Sequence, residues 1–265
     1  MNRKGALSSI GVVALSLVLI GIAIMLSEKG RGTDIGYIIL SERMYNEGVS
    51  MERGLASIWD EYSNVNASMT SDSVTISQSL PNDRTNLAVF ADEFKLLCEE
   101  QFDNVQVNSW PITWYMRNQF RPWNITYMSY WNNNIYVNLT AYEKEEVEIT
   151  LNTVKNISEC NLTKEDGDTQ LMYTVTGNAS SCSKNTMFNT SGVNRLEIND
   201  GGIVMDVNHE ILNIQTNYNE ISNVTIRIRM RNETDADLQQ FINGPIIILS
   251  DNNYHIQKVW EIRLK

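Results

Sequence analysis

The residues of this chain that could carry out acid–base, nucleophilic or metal chemistry are few and scattered. His209 and His255 each lack a second histidine at the spacing of a zinc-binding helix. The acidic segment Glu165–Asp168 offers oxygen atoms to calcium, but it lacks the spacing and terminal acid of a calcium loop, which favours a solvated turn. The sequence contains no nucleophile elbow and no phosphate-binding loop. We therefore expect no catalytic residue, no metal site, no cofactor and no enzymatic activity.

The three cysteines predict one disulfide and one remaining thiol. Cys160 and Cys182 lie in polar segments that flank a predicted strand at about residues 169–176. In an exported domain they are the natural pair, and their loop of about 22 residues is worth roughly 3 kcal/mol. Cys98 borders a helical apolar stripe, which is typical of a buried thiol. Sequence alone leaves a bridge from Cys98 to either partner open.

Asparagine-linked glycosylation is the covalent chemistry that the sequence supports best. The pattern Asn-x-Ser/Thr occurs nine times, whereas composition alone predicts roughly five occurrences. Because glycans are added to exported surfaces, the excess favours an extracytoplasmic glycoprotein. The candidate acceptors are Asn66, Asn124, Asn138, Asn156, Asn161, Asn178, Asn189, Asn223 and Asn232.

Charge separates the chain into two parts. The 265 residues carry a net charge of -11, but residues 32–265 hold 17 basic and 31 acidic side chains, a net charge of −14. A body this acidic repels phosphate backbones, which argues against a nucleic-acid partner. Arg3, Lys4, Lys29 and Arg31 give the N-terminal part its positive charge.

The uncharged segment from Gly5 to Ser27 predicts a membrane helix. In helical form residues 6–26 extend roughly 31 Å, the thickness of a hydrocarbon core. A permanent anchor and a pilin-type leader both fit; a removable secretory signal fits least, because no small-x-small cleavage site follows. Arg3 and Lys4 place the N-terminus in the cytoplasm and the body outside, although Lys29 and Arg31 weaken this positive-inside signal.

Hydrophobic periodicity predicts helices first and strands afterwards. Over residues 34–63 an apolar stripe indicates one long or bent helix, residues 63–86 indicate a connecting loop, and residues 84–102 a second helix. The stripe of the first helix includes Leu55, Ile58, Trp59 and Tyr62, and the expected face of the second consists of Leu87, Phe90, Phe94, Leu97 and Gln101.

From about residue 123 the period changes to two, which is typical of strands. The tetrad Asn199–Gly202 and the runs at 132–134 and 251–253 indicate tight turns between them. The predicted fold is α+β: a long N-terminal transmembrane helix that continues into an amphipathic helix, then a mainly antiparallel β-sandwich-like head. The predicted regions are residues 1–31 (leader and membrane segment), 32–102 (helical stem and packing helix) and 103–265 (β-rich extracytoplasmic head).

The N-terminal residues resemble a known family. The tip Arg3-Lys4-Gly5, followed by the apolar run from Ala6, resembles the class III signal of archaeal type IV pilins and archaellins. The resemblance implies cleavage between Gly5 and Ala6, a helix that packs with other subunits, and glycosylated heads on the outside. Where many members have Glu at the fifth mature position, this chain has Ile10, and Ser8-Ser9 replaces a frequent Ser-Pro.

These observations lead to two expectations for function. The first is a membrane-anchored, exported pilin-like surface subunit, a non-catalytic component of a filament or of adhesion. The alternative is a singly anchored cell-surface glycoprotein whose β head binds a partner protein or a carbohydrate. In both, residues 6–26 contact the membrane; in the first, other pilin-like subunits pack against the N-terminal helix.

Overall fold

The computed structural model describes residues 38–80, 84–102, 105–108, 115–130, 134–138, 143–163, 167, 169–188, 193–208, 210–216, 220–251 and 256–264. The predicted cleavage site at Gly5 and Ala6 and the predicted membrane segment 6–26 lie outside these residues. In the described part of the chain, neither helix combines the length and the apolar character that a membrane crossing requires.

The first helix, α1, covers residues 38–63 of the described chain. Its buried stripe is Met44, Met51, Leu55 and Trp59, while Ile58 and Tyr62 are partly buried, so the predicted stripe is confirmed. The helix ends at Asn64, whose φ of 54° lies in the left-handed region that closes helices. A strand begins at the next residue, which makes the connection very short.

The second helix, α2, covers Arg84–Gln101, as predicted. Its buried positions are Leu87, Ala91 and Cys98. Phe90 and Leu97 are 39% and 48% exposed and Gln101 is also exposed, so the predicted face was wrong for these three residues. The helix is apolar over a wide arc, and packing on α1 decides which part of the arc is covered.

The described residues contain sixteen strands. They are β1 (Val65–Met69), β2 (Ser73–Ser79), β3 (Val105–Asn108), β4 (Tyr115–Arg121), β5 (Ile125–Tyr130), β6 (Asn134–Asn138), β7 (Lys144–Thr153), β8 (Cys160–Thr163), β9 (Thr169–Thr176), β10 (Ser181–Phe188), β11 (Asn194–Ile198), β12 (Ile203–Val207), β13 (Ile211–Thr216), β14 (Ile221–Met230), β15 (Gln239–Asp251) and β16 (Ile256–Leu264).

The strands form two sheets. The six-stranded sheet has the order β1-β2-β14-β7-β9-β10, and the ten-stranded sheet has the order β16-β15-β4-β5-β6-β13-β12-β11-β8, with β3 also paired to β15. All these pairs are antiparallel except β7 with β9. A β-rich body with two described helices confirms the α+β class.

Two hydrophobic cores lie against the ten-stranded sheet. The sandwich core fills the space between the six-stranded sheet and strands β4, β5, β6 and β11–β13. The helix core joins α1 and α2 to β3, β15 and β16. Paired residues of an antiparallel ladder lie on the same face of the sheet. Asn118 is paired on one side with Ile242 of the helix core and on the other side with Tyr127 of the sandwich core. Both cores therefore cover the same face of one sheet.

The connecting loop predicted for residues 63–86 was wrong. This segment contains β1 and β2, and β2 is an inner strand of the six-stranded sheet. Val74 and Ile76 are fully buried, whereas Thr75, Ser77 and Ser79 occupy the other face of the strand. Because strands need apolar residues on one face only, a segment rich in Ser and Thr can still be a core strand.

The predicted turn at Asn199–Gly202 is confirmed. β11 ends at Ile198, β12 begins at Ile203, and the two strands pair in antiparallel register. Asn199 and Asp200 have φ angles of 53° and 52°, which small polar residues tolerate best after glycine. The runs at 132–134 and 251–253 also connect antiparallel neighbours, although residues 131–133 and 252–255 are outside the described chain.

Candidate functional surfaces

The predicted disulfide between Cys160 and Cys182 is confirmed. Cys160 begins β8, at the edge of the ten-stranded sheet, and Cys182 belongs to β10, at the edge of the six-stranded sheet. The bond therefore fastens the two sheets of the sandwich together along one side. Cys98 is buried and free, and burial raises the pKa of its thiol, with a smaller contribution from Glu99.

The predicted glycosylation sites lie mostly on the surface. Among the eight described acceptor asparagines, Asn138 and Asn223 are partly buried and the other six are exposed; Asn189 is outside the described residues. Asn124 lies in a turn, with a φ of 53°, rather than in the strand where its alternation had placed it. Exposure permits modification without proving it, so glycosylation stays a prediction.

A buried polar junction separates the two cores. The indole Nε1 of Trp59, on α1, donates a hydrogen bond of 3.0 Å to Oδ1 of Asn118, on β4. Nε2 of Gln240, on β15, donates a second bond of 3.0 Å to the same oxygen. A fully buried amide that accepts two bonds fixes the position of α1 on the sheet more specifically than apolar packing would.

The junction continues into the six-stranded sheet. The hydroxyl of Tyr127, on β5, donates to Oε1 of Gln78, on β2, over 2.5 Å. Nε2 of Gln78 then donates to the carbonyl oxygen of Ser63 at the end of α1, over 3.2 Å. These long-range bonds connect α1 to both sheets, and no sequence pattern indicated them.

A surface cleft of about 530 Å³ lies beside β1. One wall is the end of β1 with its following turn, residues 67–71, and the other is the irregular segment 234–238. The backbone N–H of Thr234 donates to the carbonyl oxygen of Ser71 and closes one end. The cleft therefore lies beside the end of β1, an edge strand of the six-stranded sheet.

A second depression, of about 410 Å³, lies on the outer face of the ten-stranded sheet. Arg195, Asp206 and Asn213 occupy one row across β11, β12 and β13. A guanidinium nitrogen of Arg195 lies 3.5 Å from Oδ2 of Asp206, while Oδ1 of Asp206 is buried without a hydrogen bond in the described chain. Planar polar groups of this kind can bind sugar hydroxyls.

An exposed apolar stripe follows α2. Val89 and Leu96 are seven residues apart, as are Phe90 and Leu97, so they form two neighbouring rows, and Glu93 and Glu100 lie between these rows. Their exposed fractions range from 39% for Phe90 to 58% for Leu96. Exposed apolar stripes of this size are typical of contact surfaces.

The weaker candidates from the sequence are mostly outside the described chain. His209, His255, Glu165, Asp166 and Asp168 all fall there. Within the described residues, no three histidine, cysteine or acidic side chains lie close enough to hold a metal ion.

Comparison with known proteins gives no match: no family model, no curated protein and no solved structure is similar to this chain.

Proposed function

We propose that this protein is an exported, membrane-anchored, pilin-like surface subunit that acts through protein contacts and not through catalysis. Residues 6–26 are the membrane segment, and the body lies outside the cell, either on the membrane or in an extracellular filament. The N-terminal helix packs with the helices of other subunits, while the β-rich head carries glycans.

The observation that carries the proposal is the course of α1. One face of the helix is buried from Met44 onward, whereas Ile38, Ile39 and Tyr45 are 62%, 60% and 54% exposed near the first described residues. In the sequence, only ten residues separate Ile38 from the uncharged segment that ends at Ser27. A helix that is embedded in the head at one end and apolar on its surface at the other suits subunit packing.

The stripe of α2 supports the same function. Val89, Phe90, Leu96 and Leu97 add exposed apolar area on a neighbouring helix of the same core. Acidic side chains, including Glu93 and Glu100, lie along this helix and keep the surface soluble when it is not covered.

N-terminal processing is the direct test. Intact-mass measurement and N-terminal sequencing of protein from native membranes should find a chain that begins at Ala6. A Gly5→Leu variant is the matched control, and it should retain the leader because the cleavage site is changed. A wild-type chain that retains Met1–Gly5 would contradict pilin processing and leave the anchored glycoprotein.

Assembly is tested by charge on the exposed helices. Leu96→Glu combined with Leu97→Glu should abolish filaments seen by electron microscopy, as should Ala6→Asp in the membrane segment. Val154→Glu is a suitable control, because Val154 is 57% exposed but lies on a loop of the sandwich. Filaments that survive both helix variants would argue against assembly through these surfaces.

The depression at Arg195 and Asp206 favours the alternative, a surface glycoprotein whose head binds a carbohydrate. Calorimetric titration of the full-length protein in detergent with neutral oligosaccharides tests it. Binding that is lost in Asp206→Ala and kept in Asp72→Ala would support a lectin-like head; absence of binding would leave the filament subunit as the proposal.

A further inference from the structure

The edges of the two sheets differ in how they are protected from pairing with another chain. Unpaired N–H and C=O groups on an edge strand are a template for a foreign strand, and charged residues, especially lysine, are a frequent protection. β10 contains Lys184, and β16 contains Lys258, Glu261 and Arg263. On β3, the N–H of Val107 donates to a carboxylate oxygen of Glu99 over 3.3 Å, so α2 occupies that edge.

The two remaining edge strands have no charged residue. They are β1, with the sequence VNASM, and β8, with the sequence CNLT. The end of β1, residues 67–69, lines the cleft together with Gln240 of β15 and Leu264 of β16. By charge alone, these edges would be the weak points of a β-rich protein at high local concentration on a cell surface.

Both uncharged edge strands carry a glycosylation sequence on their exposed face. Asn66 and Ser68 are exposed on β1, while Val65, Ala67 and Met69 face the sandwich core. On β8, Asn161 and Thr163 are exposed, while Leu162 packs on the same core. Strand alternation thus presents the asparagine and its hydroxyl partner together to solvent.

In three other sequences the hydroxyl is either buried or already hydrogen-bonded, although Ser158 itself is exposed. Each acceptor asparagine is served by the Ser or Thr two positions later in the sequence. For Asn124 this residue is Thr126, which is 7% exposed. The hydroxyl of Ser158, which serves Asn156, donates to Oδ1 of Asn199 over 3.1 Å. In the third, Thr225 donates its hydroxyl to Oδ1 of Asn223 itself, over 3.1 Å.

Two more hydroxyls are partly buried and already bound. Ser180 serves Asn178 and accepts a hydrogen bond of 2.7 Å from the N–H of Ile157. Thr234 serves Asn232 and accepts one of 3.3 Å from the N–H of Ala236. The sequences at Asn138 and Asn189 extend outside the described residues, so they are not part of this comparison.

We propose that Asn66 and Asn161 are glycosylated on the folded chain and that their glycans shield the edges of β1 and β8. A glycan carried by a lipid-linked phosphate donor is transferred: Nδ2 of asparagine bonds to C1 of the sugar, the C1–O bond to phosphate breaks, and Nδ2 loses one proton. A bulky hydrophilic chain beside the edge keeps another strand from the roughly 4.8 Å approach that pairing requires. This inference rests on the proposed function, because glycosylation requires export.

Glycopeptide mass spectrometry of the native protein tests the site choice. Occupancy should be highest at Asn66 and Asn161 among the seven sequences compared. Glycans at the other five with Asn66 and Asn161 bare would overturn this inference and leave the exported glycoprotein intact. Unmodified peptides at all sites would overturn both this inference and the predicted glycosylation.

The shielding role is tested on full-length protein in detergent, with Ala6→Asp added to suppress assembly through the N-terminal helix. In that background, Asn66→Gln with Asn161→Gln should self-associate in analytical ultracentrifugation. Backbone hydrogen exchange in β1 and β8 should slow at least ~10-fold upon association.

Asn178→Gln with Asn232→Gln is the matched control and should stay monomeric. Asn66→Lys with Asn161→Lys should also stay monomeric, because lysine protects an edge without a glycan. A double glutamine variant that remains monomeric would overturn the shielding role.

Discussion

The two cores that share one face of the ten-stranded sheet are built in different ways. The sandwich core is formed by strands within residues 65–230 and is fastened by the disulfide between Cys160 and Cys182. The helix core joins residues 44–107 to residues 242–264, so it combines the two ends of the described chain. The N–H of Arg263 donates to a carboxylate oxygen of Glu52, 211 positions away.

The difference teaches that the two cores are held by different kinds of constraint. The sandwich has a covalent constraint, whereas the helix core depends on packing and on the buried amide of Asn118. We therefore expect the helix core to open first under denaturing conditions, while the sandwich core remains folded. The following experiments can sharpen or break this contrast.

Trp59→Ala should have the largest effect. Trp59 is 1% exposed and donates to Asn118, so its loss leaves a cavity and a buried acceptor with one partner fewer. We expect a loss of about 3–5 kcal/mol of unfolding free energy, measured by denaturant titration. Hydrogen exchange should accelerate in α2 more than in β9. Ile149→Ala in the sandwich is the control, and it should accelerate exchange in β9 instead; equal acceleration in both cores would break the contrast.

Removal of the disulfide should act on the sandwich. Cys160→Ser with Cys182→Ser opens a covalent loop with a sequence separation of 22 residues. The expected cost is about 3 kcal/mol, measured by the shift of the denaturation midpoint. Exchange should accelerate in β8 and β10 while α2 stays protected. Cys98→Ala is the matched control, because this thiol is not in the bond.

Lys144 should give the sandwich a pH dependence. Its side chain is 2% exposed, and burial lowers its pKa to about 8, although Glu210 acts in the opposite direction. Between about pH 8 and pH 10.5 the unfolded chain binds a proton that the folded chain lacks, so the free energy of unfolding should rise with pH. Lys144→Met should raise stability at pH 7 by about 1–3 kcal/mol and remove this slope; an unchanged slope in denaturant titrations would contradict the assignment.

The addition of one methyl group at Gly54 should have the smallest effect of these substitutions. A Cβ atom at this position would lie 2.6 Å from the ring of Phe94, so α1 and α2 approach closely there. Gly54→Ala should destabilise the protein by about 1 kcal/mol, because overpacking outweighs the gain in helix propensity. In a Phe94→Leu background the same substitution should be neutral or stabilising. A stabilising effect in the wild-type background would show that the helices separate easily.

Much of the architecture could be predicted from local patterns, because helices and strands bury one face at characteristic periods. The stripe ending at Trp59, the α2 boundaries, the hairpin at Asn199 and the disulfide pair were all predicted correctly. β1 and β2 were missed because Ser, Thr and Asn occupy their exposed phase and dominate the composition. The exposure of Phe90 and Leu97 was not predicted, because the sequence pattern shows an apolar arc of the helix but not which part of that arc another element covers.

Lys144 and its acidic neighbours show that a run of charged residues does not predict which side chain is buried. A charged run such as Glu143–Glu146 is typical of a hairpin tip or a charged edge, but Lys144 begins an inner strand and is buried. Arg229 lies beside Glu145 and Glu146, on the neighbouring strand. Charge in a sequence does not reveal which side chain the sheet will turn inward.

The sequence by itself determined the periods of the elements, the acidic body and the uncharged N-terminal segment, and it favoured the pairing of Cys160 with Cys182 without fixing it. Only the tertiary structure decided which strands became edges, which hydroxyls stayed accessible beside the acceptor asparagines, and where Asn118 joins the two cores. The physical reason is that periodicity is a property of neighbouring residues, whereas edges, accessibility and long-range hydrogen bonds depend on non-local strand pairing.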